Sequence, residues 1–351
     1  MTARKLFSRF RDTRRNRTKS LKDPFIGAML HVDDADLDSE SRNLLFSKFQ
    51  GYLDGNAMKW NQLLADGAPN YSTYDWTTAE AMLAYAEQHR AVTMLHTLLW
   101  AKPTFFPVNK GYPIVDQGER IVANHVHIDT VVGYFRGRFD YIQVWNELLN
   151  STGAIKTFED VDDLTFAEIG QNVQRAALVD TKAMIGLNDY KIDDYSLYSD
   201  KIDAYVDLAN YLVNNGYIER ERLFIGSQSH MDCLINYSEA GMQQGFERLN
   251  EVFGQVLITE CDFTTSTLPN GTTDIQRQKA AALVASRLFR AAKNAGVKGI
   301  WFWGLSDKYS WLYEKNGSTY PTEQPLLFDD NNQRKLITGN ISVLGPQYSS
   351  W

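Results

Sequence analysis

The chain is predicted to form a single (β/α)8 barrel, on three observations. From about residue 24 onward, eight short and nearly continuously apolar runs alternate with longer segments of helical periodicity. Runs apolar at almost every position suit strands buried on both faces, as in a parallel sheet covered by helices. No Pro- or Gly-rich linker breaks the alternation, so the 351 residues read as one large domain, a barrel over 23–351 behind a short N-terminal tail.

The predicted strands, in order, are FIGAML (25–30), GNAMKW (55–60), AVTMLHTLLW (91–100), YIQVWNE (141–147), AMIGLND (183–189), LFIGSQSH (223–230), QVLITECD (255–262) and GIWFWGL (299–305). Between them, Thr77 with Glu80 and Thr165 with Glu168 have the spacing of capping boxes, in which each side chain satisfies an orphan amide at a helix start. After Ser199, the set Ile202, Tyr205, Val206, Ala209, Leu212 and Val213 follows a helical stripe that Gly216 stops, and the run 276–296 likewise ends at Gly296. The competing topology is a doubly wound open sheet. No Gly-rich phosphate loop follows any early strand, so nothing supports its nucleotide site.

A net charge of −7 argues against a nucleic-acid partner for the body of the protein. Residues 1–22 are the exception, with nine Lys or Arg against the single acid Asp12, and read as a solvated basic tail or a polyanion-binding arm. The tail has no apolar h-region, and no segment approaches a membrane span. The expectation is a cytoplasmic enzyme or a chain lacking its export signal. Cys233 and Cys261 are too few for a disulfide framework or a zinc site.

In a barrel of this kind the active site lies at the C-terminal ends of the strands. Here those ends are polar in one chemical style. The fourth closes on Asn146-Glu147, the fifth on Asn188-Asp189-Tyr190, the sixth on Gln228-Ser229-His230 and the seventh on Glu260-Cys261-Asp262. The third supplies His96 and Trp100, and the eighth leads to Trp303 and Trp311. Singly, a strand-end Glu is more often solvated than catalytic, and a lone His or Trp is more often core. Their convergence on one rim is what counts. No clustered His spacing marks a metal site, and no Gly-x-Ser-x-Gly elbow marks a serine nucleophile. A pair of carboxylates among amides and aromatics remains, which is what glycoside hydrolysis needs: an acid for the leaving oxygen, a carboxylate for the anomeric carbon, and flat rings for sugar faces.

At these residues the sequence resembles glycoside hydrolase family 10, the β-1,4-xylanases, from about Phe25 to Phe328. The strings NAMKW, LHTLLW, GRFDYIQVWNE, LNDY, GSQSH, ITECD and WGLSDKYSW followed by PLLFD carry the likeness. The resemblance implies a retaining endo-xylanase that needs no cofactor and takes a β-linked polysaccharide or oligosaccharide. Glu147 would be the acid/base and Glu260 the nucleophile, with carboxyl groups about 5–5.5 Å apart. It further implies Asn146 on the sugar 2-hydroxyl, and Gln228 and His230 orienting the nucleophile, with Asp262 behind His230. Asn56, Lys59, His96 and Trp100 would form the glycone subsites, Asn188 and Tyr190 the cleft floor, and Trp303 and Trp311 an aromatic lid.

Two departures mark the glycone side. The family reads Glu-Asn-x-Met-Lys-Trp where this chain has Gly55, and Trp-His-Ser-Gln where it has Trp100-Ala101-Lys102-Pro103. A carboxylate and an amide that would grip sugar are gone, and a cation, Lys102, has arrived. The expectation is altered substrate preference: a related β-glycanase, a weakly active sugar-binding barrel, or a site that welcomes an acidic substituent.

Overall fold

The computed structural model describes residues 24–31, 39–66, 70, 72–102, 117–156, 164–312 and 323–351. The basic tail and Pro103 lie outside the described residues. Eight parallel strands close into a barrel: β1 Phe25–Met29, β2 Gly51–Leu53, β3 Val92–Leu95, β4 Tyr141–Asn146, β5 Met184–Asp189, β6 Leu223–Ser227, β7 Gln255–Thr264 and β8 Gly299–Phe302. They pair in sequence order, and β8 returns to β1 through Phe25↔Gly299 to Ala28↔Phe302. The longer intervening helices are α1 Ser39–Lys48, α2 Thr77–Gln88, α3 Gln117–Tyr134, α4 Phe166–Val179, α5 Tyr195–Asn214, α6 Glu239–Asn250 and α7 Asp274–Asn294; a single helical turn, Trp60–Leu63, also follows β2, and a short α8, Leu336–Gly339, follows β8. This is the (β/α)8 barrel of the sequence reading. No helix among the described residues is long and apolar enough to cross a membrane.

Two predicted strands are each two pieces. The run 91–100 divides into β3 and a short strand Leu99–Trp100, and His230 opens a separate strand, His230–Asp232. Both short strands extend the barrel at its active rim. Leu99–Trp100 pairs with Trp145–Asn146, and His230–Asp232 pairs with Asp262–Thr264. The segment 55–60 is not a strand: the strand is Gly51–Leu53, just before it. Asp54 explains the difference, because its Oδ1 accepts from the amides of Asn56 and Ala57, both at 2.8 Å. A side chain that captures those donors turns the chain out of the ladder.

The barrel interior is filled by Phe25, Met29, Leu53, Val92, Met94, Tyr141, Phe224, Leu257, Trp301 and Trp303. Trp301 is fully buried, and a Cβ at Gly27 would lie 2.5 Å from its indole. Glycine there is a packing requirement, since an interior of this density cannot shift to admit a methyl. A second, larger apolar layer lies between the strands and the helices.

The capping expectations are half met. Thr165 caps α4, accepting from the Glu168 amide at 3.1 Å. The Glu168 side chain does not return to the cap. Instead it takes Arg120 bidentately at 2.9 and 2.8 Å, joining α3 to α4. Thr77 is the first residue of α2, and the acceptor is Asp75, 2.9 Å from the Thr77 amide. α5 starts before Ser199, at Tyr195 under an Asp194 cap, and is kinked at Tyr198. Gly216 and Gly296, at φ 70° and 75°, sit just past the helix ends.

Arg120 and Glu168 are each only 2% exposed, and both Glu168 carboxylate oxygens face Arg120, so removing the guanidinium strands a buried carboxylate. Arg120→Ala is expected to cost about 3–5 kcal/mol in urea unfolding, whereas a paired apolar replacement of both residues recovers most of it. A loss below about 1 kcal/mol for the single variant would show the pair to be solvated.

Candidate active site

The fourth strand stops because Glu147 takes φ 57°. The left-handed region is unfavourable for a side-chain-bearing residue and is held here by its surroundings. The Glu147 amide donates to the Asn188 carbonyl at 2.8 Å, so the chain leaves the ladder with its carboxyl turned into the cleft. Lys191 and Ser229 adopt the same geometry at the ends of β5 and β6, φ 56° and 54°. Glu147 Oε1 accepts from Gln228 Nε2 at 3.2 Å, and Oε2 lies 3.3 Å from Lys156 Nζ.

Strand register sets the next layer. Asn146 stands opposite Asn188 in the β4–β5 pairing. Asn188 Nδ2 donates to Asn146 Oδ1 at 2.8 Å and to Glu260 Oε1 at 2.7 Å. Its carbonyl accepts from Thr259 Oγ1 at 2.6 Å, which fixes the amide's orientation. Gln228 Nε2 also reaches Asn146 Oδ1, at 3.3 Å. The two carboxylates are therefore joined by three amides, Glu260–Asn188–Asn146–Gln228–Glu147. Asn146 Nδ2 is left buried without a hydrogen-bond partner.

Glu260 is 5% exposed. Burial opposes its ionisation, but the hydrogen bond from His230 leads the groups that outweigh it, Asn188 among them, and its pKa is lowered. His230 Nε2 lies 3.2 Å from Glu260 Oε2, and Nδ1 lies 2.9 Å from Asp262 Oδ1. The other Asp262 oxygen accepts from Trp311 Nε1 at 2.7 Å. Burial works against a charge on His230, yet Asp262 and Glu260 more than offset it and push its pKa up to about 10. With a carboxylate on each nitrogen, the ring donates from both.

The remaining expected residues line the cleft beside this group. Lys59 Nζ donates to Asn56 Oδ1 at 2.7 Å and stands 4.9 Å from the centroid of the Trp100 ring. Burial brings its pKa down to about 8 against the pull of Glu260, Asp54 and Glu147. His96 packs edge-on against Trp303 with centroids 5.2 Å apart, and Trp311 lies 5.2 Å from the His230 ring. Lys201 Nζ is 3.7 Å from the Tyr190 ring centroid and 2.8 Å from the buried Asp189, whose second oxygen takes Tyr205. Among the described residues, no group of three or more His, Cys, Asp or Glu is placed to hold a metal ion.

All fourteen residues singled out in the sequence fall on this rim, and two make contacts the sequence did not specify. The Gln228 side chain bonds Glu147 and Asn146 while its carbonyl accepts from the Glu260 amide, and Asn188 grips Glu260 directly. Sequence reasoning missed Lys156, Gln143, Thr259, and the Lys201 and Tyr205 partners of Asp189. Thr259 was findable, since it directly precedes Glu260 in a strand. Lys156 sits nine residues past Glu147 with no motif around it. At the turn after β2, a Cβ at Gly55 would meet His31 Cε1 and Met29 Sδ, each at 3.0 Å, so those side chains take up the room next to it.

The raised pKa of His230 carries a pH signature. Its stabilisation is complete below the unfolded value of 6.5 and is lost as pH rises through about 10. The unfolding free-energy difference between wild type and His230→Gln is therefore expected to shrink from pH 6.5 to 10. A pH-independent difference would refute the charged ring.

Comparison with known proteins identifies the family. The family model described as Glycosyl hydrolase family 10 matches residues 17–342. Endo-1,4-beta-xylanase B of Thermotoga neapolitana is 28% identical over 297 residues, 82% of this chain and 78% of that protein. Endo-1,4-beta-xylanase A of the same organism is 26% identical over 295 residues, which are 80% of this chain but 26% of that longer protein. In fold, the chain resembles the crystal structure of xylanase 10B from Thermotoga petrophila RKU-1 in complex with xylobiose. The TM-score is 0.78, with 24% identity, over 93% of this chain and 95% of that one. With a family match over nearly its whole length, the chain belongs to glycosyl hydrolase family 10.

Proposed function

We propose that the protein hydrolyses β-1,4-xylosidic bonds in xylan or xylooligosaccharides with retention of configuration. The observation that carries this is the pair of carboxyl groups joined through Asn188, Asn146 and Gln228, with Glu260 held below the usual carboxylate range. Two relatives named as endo-1,4-beta-xylanases support the substrate class.

In this reading a Glu260 oxygen attacks the anomeric carbon while Glu147 gives its proton to the glycosidic oxygen, and the leaving sugar departs. A covalent glycosyl-enzyme results. Water then attacks the same carbon, Glu147 takes its proton, and the bond to Glu260 breaks. His230 and Asn188 each hold one Glu260 oxygen and so fix its angle of attack. An unpaired buried amide costs about 1–3 kcal/mol, and that cost at Asn146 Nδ2 is relieved when neighbouring side chains part to let a sugar 2-hydroxyl accept from it. Asn56, Lys59, His96 and Trp100 take the glycone, and Trp303 and Trp311 cover the reacting sugar.

Glu260→Ala is expected to abolish turnover on every substrate. Glu147→Ala should cut the rate on xylan by about 10²–10⁴-fold, while aryl xylosides with good leaving groups lose far less in the bond-cleaving step. A product profile on β-1,4-xylan, β-1,4-glucan and mixed-linkage glucan tests the substrate. Release from glucan but not from xylan would overturn the xylanase reading in favour of another β-glycanase.

One observation favours an altered glycone preference within this activity. Lys59 and Lys102 both stand over the Trp100 ring, at 4.9 and 5.5 Å from its centroid. Substituting Lys102→Ala is expected to lower kcat/KM on glucuronate-decorated xylooligosaccharides more than on neutral ones. Equal losses on both substrates would refute it.

A further inference from the structure

Just past the fourth barrel strand the chain doubles back and delivers a cation that the reaction above does not use. Leu149 and Ile155 form an antiparallel bridge, and the Lys156 amide donates to the Leu148 carbonyl at 2.8 Å. This return brings Lys156 beside Glu147. Its Nζ lies 3.3 Å from Glu147 Oε2 and 5.1 Å from the centroid of the Tyr190 ring. Backbone pairing fixes where the lysine stem starts, while the side chain, 21% exposed, keeps room to move.

The amide bridge decides which Glu147 oxygen carries a proton. Asn188 holds the Asn146 carbonyl oxygen inward, and Gln228 faces that oxygen with its amino group. The same Nε2 donates to Glu147 Oε1 at 3.2 Å. Of the two oxygens of a carboxylic acid, the carbonyl oxygen accepts well and the hydroxyl oxygen poorly. Gln228, fixed as a donor, keeps Oε1 as the carbonyl oxygen and so places the hydrogen on Oε2. That is the oxygen Lys156 holds, and an ammonium can only donate. The lysine and the proton compete for one atom.

We propose that Lys156 is a positioning residue whose ammonium alternates with the catalytic proton on Oε2 of Glu147, holding that oxygen while the carboxyl is ionised and swinging off it when the leaving sugar takes its place. The sugar's part in this rests on the glycosidase reading; the contact itself does not. Once the leaving sugar has departed with the proton, Lys156 closes on the carboxylate that acts as base in the second step. The proton taken from water then returns to Oε2 and opens the contact again.

The surroundings give the lysine a second resting place. The face of Tyr190 attracts a cation. Lys201, 3.7 Å from the same ring centroid and tied to Asp189, repels Lys156 and keeps it on the cleft side. Other groups face the Glu147 charge: Lys59 after β2, His96 after β3, Tyr190 after β5, and Lys201 and Tyr205 on α5. The direct hold on Oε2 is the 3.3 Å contact of Lys156.

The test is a carbon-13 NMR titration of the Glu147 carboxyl in the ligand-free full chain, assigned by its loss in Glu147→Gln. An opposite charge this close favours the carboxylate. Lys156→Met is therefore expected to raise the titration midpoint by at least about half a pH unit, whereas Lys156→Arg stays near wild type. The basic limb of kcat/KM on xylooligosaccharides is expected to move up with it. Lys156→Gln repeats the measurement with a polar side chain, should the methionine variant not fold. Midpoints equal to wild type in the neutral variants overturn the proposal, as does lost activity with an unmoved limb, which a merely structural lysine would give. In crystals of Glu260→Ala with xylotetraose, Lys156 Nζ is expected to stand more than about 4 Å from Oε2, beyond ion-pair reach. A contact kept with sugar bound overturns the alternation. Failure to hydrolyse any glycan would refute the glycosidase reading but leave the ligand-free titration standing, so the two failures are distinguishable.

Discussion

The carbonyl oxygen of Asn146 is the point on which the site is hung. It accepts from Asn188 at 2.8 Å and from Gln228 at 3.3 Å, and each of those amides spends its other hydrogen on a carboxylate. The arrangement has a single sense. Thr259 occupies the Asn188 carbonyl, which turns Nδ2 toward Asn146 and Glu260; Asn146 must then present its oxygen inward, which leaves its own nitrogen unpartnered. Reversing any one amide would set two carbonyls or two amino groups face to face in a buried space, where an unmet polar group is costly. The chemistry of the cleft is thus fixed by hydrogen-bond bookkeeping that begins on β7, crosses β5, and ends on the acid beyond β4.

Barrel closure makes that chain of bonds geometrically available. Parallel register places Asn146 opposite Asn188, and the short strand after β6 places His230 opposite Asp262. Neighbouring parallel strands stand about 4.8 Å apart, a spacing that short amide and carboxylate side chains can bridge directly. The barrel supplies positions, and left-handed residues past the strand ends supply departures from them: at Glu147 one takes a carboxyl off the strand line.

How much of this was legible in the sequence follows the same division. The barrel was readable because eight apolar runs recur, and the rim was readable because each run ends in amides, carboxylates or rings. What a side chain touches was not, because contacts depend on register between strands distant in sequence. The contacts of Asn188 with Glu260 and of Gln228 with Glu147 were not specified by the sequence for that reason. The misplaced second strand has a local cause: GNAMKW is apolar enough to pass as a strand, yet the carboxylate that folds it into a turn, Asp54, lies one residue outside the window. Gln143 lies inside YIQVWNE, but nothing in that string places its amide between the Met94 sulfur and the His96 imidazole. Lys156 carries no pattern, and Glu168, which has the spacing of a capping box, gives no sign of Arg120.

The two halves of the cleft are built with different degrees of freedom, and this decides where such a protein can change. The side that holds Glu147 and Glu260 draws its bonds across β4, β5, β6 and β7, so altering one member disturbs several strands. The turn around Gly55 is made of near neighbours. Asn56 holds Lys59 three residues on, and His31 lies 3.4 Å from Asp54, which organises the turn carrying both. The room that a Cβ at Gly55 would need is taken by His31 and Met29, each 3.0 Å from it. Lys102 follows a short strand that pairs with the end of β4, and it adds charge over Trp100. The contacts around Gly55 thus run within the 54–59 turn and to His31, whereas the amide bridge between Glu147 and Glu260 spans four strands, so a change at Gly55 has a shorter reach than one at Asn146.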